Sequence, residues 1–176
     1  MMARVLRYYF GSARQSHGGK TEAAVRRYPP VKERRLNMHL MGYWQALRGT
    51  AQQVTPDQFD PTPLGELWAH CFVVDADPSP ARMTFRHLGS KIAANSGAAA
   101  DLATASEVPP KTLLALSLRG VPDVLQEKQP IVSSGEFTDF CDRYCLYRSI
   151  LLPLGTTQDA VRFVAGGARC KVVKAR

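Results

Sequence analysis

The chain has 176 residues, of which 45% are hydrophobic and 22% charged, values that fit one soluble globular domain with a tail. Its longest apolar runs, 113–116 and 150–154, fall far short of the ~20 residues of a membrane helix, the start lacks the apolar core of a secretory signal, and four scattered cysteines (Cys71, Cys141, Cys145, Cys170) make no disulfide framework and point to a reducing cytoplasm. The net charge of +8 sits almost wholly in residues 1–40, where nine Lys/Arg face two acids, so the body carries only +1; nucleic acid and membrane are therefore not expected as its partners, beyond nonspecific phosphate contact through the basic leader.

Residues 1–37 read as a basic, disordered leader, with a short helix conceivable over 2–10. A flexible arm, an Arg-rich transit peptide and a mistaken start codon compete as explanations; the last is preferred because Met38 stands where patterned sequence begins. His17-Gly18-Gly19-Lys20-Thr21 is no phosphate loop, since Arg14 occupies the required first-glycine position and no strand precedes it. The body, 38–174, opens on an amphipathic helix carrying Leu36, Leu40, Tyr43, Trp44 and Leu47, with Gly49 as its stop. Asp60 and Pro61 read as the N-cap and first residue of a helix reaching Trp68. Residues 69–74 and 82–88 pattern as a hairpin, 90–96 as a short helix closed by Gly97, and Pro109-Pro110 as the opening of the next helix. Gly120-Val121-Pro122 breaks that helix before a second piece ending near Lys128. Three strands follow, over 131–136, 144–154 and 161–173, with Gly166-Gly167 allowing a bulge or a close approach. The pattern predicts an α+β domain built on one antiparallel sheet.

Tyr43-Trp44, Leu47-Arg48-Gly49, Pro56, Phe59-Asp60-Pro61, the run from Phe85 to Ser90, Gly97 and Leu151-Leu152-Pro153-Leu154 occur in an order that resembles the PAS fold, and more narrowly the small, often stand-alone bacterial PAS family numbered fifth. Ser90 stands where that family usually has Thr, and 97–105 is richer in Ala than the family pattern. The resemblance implies a five-stranded antiparallel sheet with helices on one face and an N-terminal amphipathic helix. It also implies sensing of a small molecule or protein in bacterial signalling, often as a homodimer, and leaves the ligand open.

The helical side of the sheet, carrying Phe72, Val74, Phe85, His87, Leu114, Tyr147 and Phe163, is the candidate ligand pocket. Leu40, Tyr43, Trp44, Leu47 and Arg86 are candidate interface residues, with α-helical packing on the sheet or on a second subunit as alternatives. No cofactor is expected. A strand His87 is poorly placed as a haem ligand, the Asn-Cys-Arg-Phe setting of a photoactive flavin is missing, and Cys141 with Cys145 make only half of a zinc motif. A redox role for those two thiols is weighed and set below inert thiols. Gly-x-Ser-x-Gly is absent, Glu136, Asp139 and Asp142 read as water-facing loop acids, and no catalysis is expected. A ligand-free interaction adaptor is the first rival reading, and weak nucleic-acid association through the basic leader the second.

Overall fold

The computed structural model describes residues 6–9, 36–51, 53–98, 101–157 and 160–173. In chain order they form β1 (Leu6–Tyr9), α1 (Leu36–Arg48), β2 (Cys71–Asp75), β3 (Thr84–Leu88), α2 (Ser90–Asn95), α3 (Leu113–Leu118), α4 (Val121–Glu127), β4 (Ile131–Thr138), β5 (Tyr144–Thr157) and β6 (Ala160–Val172). Short 3-10 turns lie at Pro56–Gln58, Thr62–His70 and Ala105–Glu107. The helix expected up to Trp68 is thus a 3-10 segment interrupted at Gly65, although Asp60 Oδ1 does accept the Thr62 amide at 2.9 Å. Gly97 adopts φ +58 after α2, the left-handed conformation a helix C-cap favours. Pro109 and Pro110 lie before α3 rather than in it; Thr112 is its N-cap and accepts the Ala115 amide. Pro122 sits in the first turn of α4, where its missing N–H costs no helical bond.

The sheet runs β1-β4-β5-β6-β2-β3, every neighbouring pair antiparallel. The last strand lies beside the first strand of the body, so the chain must cross one face between β3 and β4, and α2, α3 and α4 occupy that crossing. The five strands of the expected sheet are β2 to β6. The sixth, β1, pairs with the edge of β4 and replaces the helix considered over 2–10; an edge strand offers unpaired backbone groups to any extended segment nearby. Residues 10–35, on which the readings of arm, transit peptide and mistaken start mainly rest, lie outside the described residues.

Each face of the sheet has its own core. On one, Phe72, Val74, Ile92, Leu113, Leu114, Val121, Val124, Tyr147 and Val164 pack with the crossing helices. On the other, Leu36, Leu40, Met41 and Trp44 of α1 cover Ile150, Leu152, Leu154 and Ala165, with Val54, Phe59 and Leu64 from the connector. Trp44 Nε1 donates to the Pro153 carbonyl at 3.0 Å, which satisfies the one polar atom that burial of the indole would strand.

Three register shifts interrupt the pairing, one of them between Gly155 and Thr157 at the β5–β6 turn, and the other two are bulges beside the sheet's core. Val73 and Val74 pair with His87 and Phe85, leaving Arg86 unopposed; Leu154 and Gly155 pair with Phe163 and Val161, leaving Arg162 unopposed. Each extra residue turns the side chains beyond it to the other face.

Candidate functional site

The two bulges converge on one corner of the sheet. Strict alternation places Phe85 and His87 together on the helical side, but the bulge at Arg86 separates them. Phe85 packs with the helical-side core, whereas His87 turns to the α1 side, where its ring stacks on Trp68 at 4.0 Å with planes 11° apart. Phe163, next to Val164 in unbroken register, faces the α1 side, where it packs against the same core as Val73 and Trp68. The single-faced set expected from the sequence is therefore divided: Phe72, Val74, Phe85, Leu114 and Tyr147 on the helical side, His87 and Phe163 opposite.

His87, Phe163, Trp68 and Phe59 wall a cleft of about 320 Å³, with Val73 and Leu154 as its floor and Pro56, Asp57 and Arg86 at its margin. Tyr43 meets Phe59 edge-on at 5.4 Å, and Phe59 meets Trp68 at 6.1 Å, so a row of rings runs from α1 to β3. Both bulge arginines are held over the Phe163 ring, at 5.5 Å for Arg86 and 5.7 Å for Arg162. Both also reach Asp75, at 3.3 Å and 3.5 Å. These pairs are largely exposed, and their value is positional rather than energetic. Burial pushes the His87 pKa below the usual imidazole range, partly offset by its contact with the Trp68 carbonyl, 3.4 Å from Nε2. The imidazole is thus a neutral, flat wall at neutral pH.

On the helical side, where the sequence suggested a pocket, the side chains pack closely. Phe72, Val74 and Leu114 are entirely buried, and the Phe72 ring stands where a Cβ on Gly166 would be. Gly166-Gly167 therefore serves close approach and not the β6 bulge, which lies at Arg162.

Of the interface candidates, Leu40 and Trp44 are buried against their own sheet, at 1% and 4% exposure, because α1 spends its apolar stripe on Ile150, Leu152 and Leu154. Tyr43 and Leu47 are half-buried on the same core, and Arg86 is exposed. Asp139 does not face water as expected: its carboxylate accepts the Cys141 and Arg143 amides, both at 2.9 Å, and the Arg143 guanidinium. Burial alone would raise its pKa, but these bonds hold it below the ordinary value. Burial pushes the Cys71 thiol up to about 12 and Cys145 up to about 11, values that disfavour a nucleophilic thiolate. Among the described residues no group of three or more His, Cys, Asp or Glu could hold a metal ion, and no helix is long and apolar enough to cross a membrane.

Trp68, Phe59 and Asp57 were not legible as site residues. Phe59 is visible in the sequence beside a cap signal, and Trp68 only as the end of a helix.

The strand order, the helical crossing on one face and the N-terminal helix on the other define an α+β fold of the PAS type. A family model described as a PAS domain matches residues 32–167, well over half the chain, and the chain belongs to that family, the fifth PAS family. No curated protein matches it.

Proposed function

We propose that this is a stand-alone sensory PAS domain of bacterial signalling that binds a small planar molecule in the Trp68–His87–Phe163 cleft and performs no catalysis. The observation that carries the reading is an open, ring-walled cleft of about 320 Å³ on the α1 side, opposite an interior already filled by Phe72, Val74 and Leu114. Ligand sites are characteristically apolar with few polar groups, and here the polar groups are the Asp57 carboxylate, the Arg86 guanidinium and a neutral His87. Arg86 is already engaged by Asp75, which favours an uncharged ring with a hydrogen-bond donor for Asp57 over an anion. A cytoplasmic location, the absence of haem or flavin, homodimer formation and a signalling-protein partner belong to the same reading; Tyr43, Leu47 and Arg86 remain the surface for such contacts.

A ligand-free adaptor is the second reading, favoured by the filled helical side. Native mass spectrometry of the gently purified full chain distinguishes the two. The sensor reading predicts a retained small molecule that is lost in Trp68→Ala and His87→Ala. A molecule retained equally by both variants overturns the assignment of the cleft, and a bare wild-type chain selects the adaptor.

A further inference from the structure

A second opening of about 540 Å³ lies on the same face, beyond the start of α1, between the first turn of that helix and strands β4, β5 and β6. Its charge arrangement conflicts with the rest of the fold. Arg148 of β5 stands directly opposite Arg169 of β6, and Ser134 of β4 stands opposite Arg148, so the row across the three strands holds two cations and no acid. Like charges directly opposed across strands are destabilising. Lys171 lines the same groove and adds a third positive charge.

No carboxylate lines the groove. Glu136, the nearest acid in the ladder, opposes Leu146 and is engaged by the Tyr144 hydroxyl. Among the described residues none of the three cations forms a side-chain ion pair, and Arg169 Nε is buried without a hydrogen-bond partner. The first turn of α1, whose Leu36, Asn37 and Met38 form one wall, carries no acid to balance the positive end of the helix. Val132, exposed Leu146 and exposed Met38 supply apolar wall, and Tyr147 and Cys170 complete the lining. A buried donor without a partner and two opposed guanidiniums are both relieved by the same thing, an oxyanion placed between them.

We propose that this groove binds a small amphiphilic anion, its carboxylate or phosphate head between Arg148 and Arg169 and its apolar body along Val132, Leu146 and Met38. The site is independent of the Trp68 cleft, and the reading of that cleft can fail without affecting it. The basic leader is a poor occupant because it carries the same sign of charge.

The test is amide-resonance titration of the full chain with octanoate and with octyl phosphate, which distinguish the two heads, against acetate and inorganic phosphate, which lack the apolar body. At least one amphiphile should perturb Ser134, Arg148, Arg169 and Lys171, and bind more tightly than its short counterpart. Arg169→Gln should weaken it by about tenfold or more, as loss of a charge-assisted hydrogen bond does. Arg148→Gln should weaken it similarly while raising the melting temperature of the ligand-free chain, because it removes the opposed charge. That gain shows the variant is folded. No perturbation by either amphiphile, equal binding by Arg169→Gln, or perturbations centred on Phe72 and Leu114 would overturn the proposal.

Discussion

Gly166 lies on β6 under the Phe72 ring, and a single methyl group there would occupy the volume the ring already fills. Overpacking of this kind costs roughly 1–3 kcal/mol. Gly166→Ala should lower the urea midpoint accordingly, and the double variant with Phe72→Leu should recover part of the loss, since residues in contact are not additive. Lys128 closes α4 at φ +55, a conformation that strains an L side chain. Lys128→Gly should stabilise by about 1 kcal/mol, with Lys128→Ala giving no such gain in the same denaturation series. His70 supplies the pH prediction. Burial, then the Arg169 and Lys91 charges, lower its pKa from the ordinary 6.5 to about 4. The unfolded chain therefore takes up a proton at a pH where the native chain refuses it. Stability should be flat from about 6.5 up to the onset of thiol ionisation near 9.0, and fall as the pH descends towards about 4. His70→Gln should make that descent shallower, with a remainder from His87, whose pKa is lowered in the same direction; urea midpoints across the pH range would read it.

At the scale of elements, α1 is the cover of one sheet face. Burial of Leu36, Leu40, Met41 and Trp44 contributes on the order of 1.5–3 kcal/mol per side chain, or about 6–12 kcal/mol together. That is comparable with the ~5–15 kcal/mol of net stability in a whole domain. A chain beginning at Val54 should therefore fail to melt cooperatively in calorimetry, and a sharp transition near the full-length midpoint would contradict this account of α1. The helix itself was readable from its 3.6-residue apolar spacing and Gly49. Strand positions were equally readable, because runs such as 144–154 are dense in apolar and aromatic residues. What stayed hidden was the facing of side chains. The bulges fall at Arg86 and Arg162, where neither glycine nor proline marks them, and they follow from pairing with β2 and β5 far away in sequence. The bulge at Arg86 puts Phe85 and His87 on opposite faces, the one at Arg162 does the same for Val161 and Phe163, and Phe163 itself lies opposite Val164 by plain alternation. Arg148 stands out in the sequence as an uncommon strand arginine suited to a surface or an anion-binding role, but its opposition to Arg169 was hidden, since cross-strand register is a property of two segments and neither contains it alone.

For the molecule as a whole, the sheet is a central layer with unequal sides. The helical side is sealed by α2, α3 and α4 over Phe72, Val74 and Leu114, while the α1 side leaves both ends of the sheet open, at the Trp68 cleft and at the arginine groove. A PAS domain with this division would report occupancy through the face that bears its N-terminal helix, by way of the ring row from Trp68 through Phe59 to Tyr43. The direct measurement is an amide-resonance titration of the full chain with indole, a neutral planar probe with one donor. The account predicts perturbations at Trp68, Val73, His87 and Phe163 that extend to Tyr43 and disappear in His87→Ala. Perturbations confined to Phe72, Leu114 and Tyr147 would show that the helical side opens to ligands after all and would contradict it.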